Sequence, residues 1–135
     1  MSISHYAVYI YASNSFTPPT VYFDQFPSTA SYVIETDGTY YWAIDEYGQR
    51  KWLSTNASYV ISEALESANG DLVLIKKGTY DIKSRINANI PINLVGEGRY
   101  GVTLRFYVDY GFYITGSAQT YVVIKSLTLE AVSDV

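Results

Sequence analysis

The chain has 135 residues, 48% of them hydrophobic and only 16% charged, which is the composition of a folded domain with a sizeable core and excludes a disordered segment. A net charge of −4 argues against a nucleic-acid partner, because phosphate binding needs a clustered basic face, and the basic pairs Arg50-Lys51 and Lys76-Lys77 read as solvated turns. The absence of cysteine removes disulfides and thiolate metal sites.

The sequence contains 15 tyrosines and is rich in Thr, Val and Ile, which favours strands, where β-branched and aromatic side chains pack on a pleated surface. No apolar run reaches the length of a membrane span. Met1-Ser2-Ile3-Ser4-His5 lacks the basic and apolar regions of a signal peptide.

In chain order, residues 1–53 read as an antiparallel β meander. Strand-like runs at His5 to Ala12 and Val21 to Phe23 are separated by Thr17-Pro18-Pro19-Thr20. Ser31 to Glu35 and Thr39 to Ile44 flank Thr36-Asp37-Gly38, a hairpin signal because Asp-Gly supplies positive φ. A second turn at Glu46-Tyr47-Gly48-Gln49 precedes Arg50 to Leu53.

Residues 56–69 carry helical periodicity. Val60, Ile61, Ala64, Leu65 and Ala68 share one face at a 3.6-residue period, Asn56 is placed to cap the amino end, and Asn69-Gly70 supplies the stop. Residues 71–135 then read as short strands. Leu74, Leu94 and Ile114 recur every twenty residues, with Gly78, Gly98 and Gly116 behind them and apolar runs at Tyr80 to Ile82, Val102 to Phe106 and Tyr121 to Ile124 between them. A fixed period with several strands per repeat predicts a stacked solenoid.

Four segments occur in order: Thr55-Asn56-Ala57-Ser58-Tyr59-Val60-Ile61-Ser62-Glu63-Ala64-Leu65, Leu74-Ile75-Lys76-Lys77-Gly78-Thr79-Tyr80, Ile92-Asn93-Leu94-Val95-Gly96-Glu97-Gly98 and Val122-Val123-Ile124-Lys125-Ser126-Leu127-Thr128-Leu129. Together they resemble the opening of pectate-lyase-like parallel β-helix proteins, although acidic residues common before the helix in that family are replaced here by Ser54-Thr55-Asn56. The resemblance implies an all-β fold: a right-handed parallel β-helix with an amino-terminal capping helix and a preceding short antiparallel meander. Its division is 1–53 as lead-in and 54–135 as helix and first coils. A superfamily holding lyases, hydrolases, phage tailspikes and adhesins does not fix an activity.

No catalytic constellation, cofactor site or metal site is expected. Gly96-Glu97-Gly98-Arg99-Tyr100-Gly101 fits a dinucleotide-loop pattern, but a strand rather than a helix is predicted to follow, so it reads as a turn. Glycoside hydrolysis needs two carboxylates across a cleft, and among the acidic residues Asp109 and Glu130 are the nearest pair to a one-coil offset. His5, the lone histidine, has no partner nearby, and the Asn56-Ala57-Ser58 sequon is better explained as a helix cap.

Aromatic residues concentrate in two places, and Tyr40, Trp42, Trp52, Tyr107, Tyr110 and Tyr113 are the expected glycan or subunit contacts, since such rings stack on sugars or pack between chains. The expected function is a structural, receptor-binding or glycan-binding module at a virion or extracellular surface. Self-association or continuation into a longer chain is expected from the uncovered last coil, with a polysaccharide ligand, no nucleic acid and no membrane span. The alternatives are the amino-terminal portion of a polysaccharide lyase or glycoside hydrolase with active coils beyond residue 135, and a cytosolic interaction domain.

Overall fold

The computed structural model describes residues 10–12, 30–115 and 121–132. His5, Val21 to Phe23 and Gly116 lie outside them. After β1 (Ile10–Ala12) come β2 (Tyr32–Thr36), β3 (Tyr41–Asp45) and β4 (Arg50–Ser54), paired antiparallel in the order β2-β3-β4. The β2–β3 turn is tied by the Asp37 carboxylate, which accepts the backbone N–H of Thr39 and Tyr40 at 2.9 and 2.8 Å, while Gly38 takes φ +99°. These donors hold the Asp37 carboxyl below its ordinary value, Tyr40 contributing most.

Helix α1 (Ala57–Ala68) starts where the Asn56 side chain accepts the Tyr59 N–H and ends where Asn69, at φ +48°, returns its own N–H to Leu65. Its apolar face, Val60, Ile61, Ala64, Leu65 and Ala68, is buried. The chain continues through β5 (Val73–Ile75), β6 (Gly78–Ile82), β7 (Ile86–Ala88), β8 (Ile92–Gly96), β9 (Val102–Phe106), β10 (Phe112–Ile114), β11 (Val122–Lys125) and β12 (Thr128–Ala131). They form a six-stranded sheet, β11-β8-β5-β2-β3-β4, and two three-stranded parallel sheets, β1-β10-β7 and β12-β9-β6.

Among the described residues, this mainly β arrangement of three sheets and one helix corrects the all-β right-handed parallel β-helix expected from the sequence. The largest sheet is mixed: β2 pairs parallel with β5 on one side and antiparallel with β3 on the other, so the meander is built into the sheet rather than set before it. The twenty-residue period is not the pairing period either. Val73 lies opposite Leu94 and Leu94 opposite Ile124, whereas Ile114 belongs to another sheet and lies opposite Ala88. In the third sheet Tyr80 meets Leu104 and Leu104 meets Leu129, again at a different spacing.

What the three sheets share is an apolar interior. Val73 and Leu94, Ile34 and Ile75, Tyr80 and Leu104, Ile82 and Phe106, Ile86 and Phe112 are paired neighbours, and every one of them is buried. Because side chains alternate across a strand, a one-residue slip would turn each of these pairs to solvent. Gly96 shows how tight the stacking is: a Cβ there would lie 2.2 Å from the Ser126 carbonyl oxygen. The loop pattern around it therefore serves packing, and strand β9 follows it in the chain instead of a phosphate-binding helix.

Leu65, 2% exposed, sits in this core with Ile61, which is fully buried. Leu65→Ala is expected to cost about 2–5 kcal/mol in chemical denaturation through the cavity it leaves, and Leu65→Asp to abolish the cooperative transition. A soluble Leu65→Asp chain with an unchanged midpoint would contradict this packing.

Candidate functional site

Adjacent strands of the six-stranded sheet carry a polar row on the face opposite the core. Trp42 of β3 lies directly opposite Glu35 of β2. One step beyond the Ile34–Ile75 and Ile75–Gly96 pairs, the ladder continues with Lys76 N–H donating to the Ile34 carbonyl and Glu97 N–H donating to the Ile75 carbonyl, both at 2.9 Å. Trp42, Glu35, Lys76 and Glu97 thus follow one another across β3, β2, β5 and β8. At roughly 4.8 Å per strand, Glu35 and Glu97 are about 10 Å apart at the backbone.

With Thr36 and Lys77 these residues line an open concavity of about 260 Å³. Its side chains are held in place. The Trp42 indole N–H donates to Glu35 Oε1 at 2.9 Å, Lys76 Nζ stands 3.9 Å from Glu35 Oε2, and the Arg50 guanidinium covers the indole at 4.7 Å from the ring centre. Glu97 Oε1 accepts the Lys77 backbone N–H at 2.8 Å, and the Thr36 hydroxyl donates to the Tyr40 carbonyl at 2.8 Å. The Glu35–Lys76 pair is solvent-exposed enough to contribute at most about 1 kcal/mol to stability. It organises the cleft rather than holding up the fold.

Beneath the concavity, fully buried Tyr80 donates its hydroxyl to the Lys76 carbonyl at 2.8 Å and so fixes the backbone that presents Lys76. Its phenol is pushed far above the ordinary tyrosine value, first by burial and then by the charge of Glu35, with Tyr41 and Glu97 adding to it. Gly78 completes the floor: at φ +147° it leaves the space a Cβ would contest with the Thr36 methyl at 2.6 Å.

The other aromatic residues singled out in the sequence are distributed around the fold. Tyr40 is exposed in the β2–β3 turn. Trp52 sits at a bulge in β4 with φ +56°, packs partly against the core and meets Tyr32 at 5.1 Å between ring centres. Tyr107, Tyr110 and Tyr113 gather elsewhere, around the turn between β9 and β10. Tyr110 and Tyr113 are 6.0 Å apart, and Lys83 and Arg85 of the preceding turn stand over their rings and that of Tyr107.

Asp109 is in the turn after β9, while Glu130 stands in β12 opposite Arg105, whose guanidinium binds Asp81 at 2.8 Å. No group of three metal-ligating side chains occurs among the described residues. None of their helices is long and apolar enough to cross a membrane. A small recess of about 30 Å³ between α1 and β7 has room for about one water and is a packing seam.

Of the residues lining the cleft, sequence reasoning singled out only Trp42: Glu35 and Thr36 were not considered as contacts, Lys76-Lys77 read as a solvated turn and Glu97 as part of a turn. The Asp37-Gly38 turn signalled the hairpin but not its register: the flanks read from the sequence set Glu35 beside Thr39, whereas Thr36 pairs with Tyr41 and Glu35 therefore faces Trp42. The approach of Glu35 to Lys76 and Glu97 depends on parallel pairings that no local signal encodes. No family model and no curated protein matches the sequence, and no solved structure matches the fold.

Below the unfolded tyrosine value of about 10 the neutral Tyr80 and Tyr41 phenols leave stability intact. Both are raised by burial, so stability is expected to fall as pH climbs from there toward their folded values. Alkaline titration at 295 nm should show two tyrosines ionising only together with loss of near-ultraviolet dichroism. All fifteen ionising in the folded state would contradict the buried placement. Tyr80→Phe should lessen the alkaline sensitivity while costing about 1 kcal/mol at neutral pH, from the lost hydrogen bond to the Lys76 carbonyl.

Proposed function

We propose that the chain is a non-catalytic structural and glycan-binding module of a virion or cell-surface assembly, with the Trp42 cleft as its sugar subsite. The observation that carries this reading is the row Trp42–Glu35–Lys76–Glu97 bordering one concavity. A sugar ring presents an apolar C–H face and a rim of hydroxyls that each donate and accept. An indole, two carboxylates, two ammonium groups and a threonine hydroxyl meet both needs within one opening.

Two carboxylates against two lysines leave the cleft close to neutral in charge, which suits a neutral glycan. Its side chains are already positioned by hydrogen bonds and the Arg50 stack, so little ordering cost remains to be met on binding. A virion or cell surface is where a module of this kind meets polymeric sugars.

Affinity electrophoresis through gels containing neutral polysaccharides, followed by calorimetry on oligosaccharides of the retarding polymer, tests the proposal. Trp42→Ala should weaken binding at least tenfold with the denaturation midpoint little changed, because the indole lies on the outer face. Equal retardation of wild type and Trp42→Ala would remove the cleft from the account. New reducing ends in the same incubations, lost on Glu35→Gln or Glu97→Gln, would replace the non-catalytic reading with hydrolysis by a carboxylate pair.

A further inference from the structure

The turn joining β6 to β7 and the turn joining β9 to β10 stack on each other. Tyr107 N–H donates to the Ile82 carbonyl at 2.9 Å where the two turns begin, and Ile86 N–H donates to the Gly111 carbonyl at 2.7 Å where they end. This register sets two exposed cations of one turn, Lys83 and Arg85, against three tyrosines. Lys83 Nζ lies 5.4 Å from the Tyr107 ring centre, and the Arg85 guanidinium lies 5.4 Å from that of Tyr110 and 5.0 Å from that of Tyr113.

Two features separate this corner from an ordinary solvated turn. The ion pairs seen among the described residues, Glu35–Lys76 and Asp81–Arg105, involve neither Lys83 nor Arg85. In a chain of net charge −4, two cations are thus collected on aromatic faces with no carboxylate among the described residues bound to them. The backbone is also held in an uncommon conformation to present one of those faces. Tyr110 occupies φ +54°, a region where a bulky residue is rarely found, and the Gly111 that follows cannot carry a Cβ, which would fall within 2 Å of the Phe106 ring. Packing demands a glycine at 111, and the Tyr110 ring beside it stands under the Arg85 guanidinium.

A guanidinium stacked on ring faces keeps its in-plane N–H fork free for a bidentate acceptor, and a neighbouring ammonium adds a second charge. We propose that this corner is a second binding site, for the carboxylate or sulfate group of an acidic sugar, with the tyrosine rings bordering the ring that bears it. The choice of a sugar as carrier of the anion rests on the glycan-binding reading. The anion preference itself rests on the corner alone. Beside a Trp42 cleft of balanced charge, it makes the module selective for polymers that carry an acidic unit.

The test is residue-resolved NMR titration of the full chain with three probes: a uronic-acid oligosaccharide, a sulfated oligosaccharide and a neutral one of equal length. The acidic probes should shift amides of residues 83–87 and 107–113, one source binding more tightly than the other, and binding should weaken as salt is raised. Arg85→Gln should weaken their binding at this corner at least tenfold, and Arg85→Lys should restore part of it. Neutral and acidic probes shifting only the Trp42 cleft would overturn the corner site and spare the glycan-binding reading. Acidic probes shifting only the corner, with the neutral probe shifting neither region, would uphold the corner site and remove the Trp42 cleft as a sugar subsite, and no shift in either region would overturn both. A single-stranded oligonucleotide binding the corner more tightly than any sugar probe would overturn its assignment to sugars.

Discussion

Everything in this molecule depends on parallel strands stacking in a register that keeps one apolar set facing inward. Val73 and Leu94, Tyr80 and Leu104, and Ile86 and Phe112 are buried neighbours on three different sheets, and the helix adds Val60, Ile61 and Leu65 to the same interior. Each large buried side chain stabilises the fold by about 1.5–3 kcal/mol relative to exposure, and a slip of one residue would reverse the sign for a whole strand. Burial therefore selects the register, and the hydrogen-bond ladders follow it.

The same alternation determines what reaches solvent. With Ile34 and Ile75 pointing inward, Glu35 and Lys76 must stand on the outer face, next to Trp42 on one side and Glu97 on the other. With Ile82 and Phe106 inward, Asp81 and Arg105 meet outside, and Lys83 and Tyr107 begin the stacked turns. The two candidate binding places are thus by-products of one core register, placed at different corners and different in charge. One balances two carboxylates against two lysines, and the other leaves two cations on tyrosine faces.

Local chemistry was legible in the sequence wherever it acted alone. The helical period of Val60, Ile61, Ala64, Leu65 and Ala68, the Asn56 cap and the Asp37-Gly38 turn each describe a structure formed within a few residues. The three-residue strand Ile86–Ala88 is too short for its alternation to register. The apparent twenty-residue repeat misled because the turns between strands differ in length. The route from β8 to β11 includes β9, β10 and their connections, so Leu94 finds Ile124 rather than Ile114. For the same reason Trp42 of the cleft could be named in advance but its acidic and basic neighbours could not. Trp42 meets Glu35 through a hairpin, whereas Lys76 and Glu97 arrive through non-local pairing.

The register is therefore the claim to test first. Inter-strand nuclear Overhauser contacts in the isotope-labelled chain report it directly. Cross-strand backbone contacts are expected to link Leu94 to both Val73 and Ile124, and Ile114 to Ala88. Contacts joining Leu94 to Leu74 and Ile114 at a uniform twenty-residue offset would contradict it, and with it the placement of both binding sites.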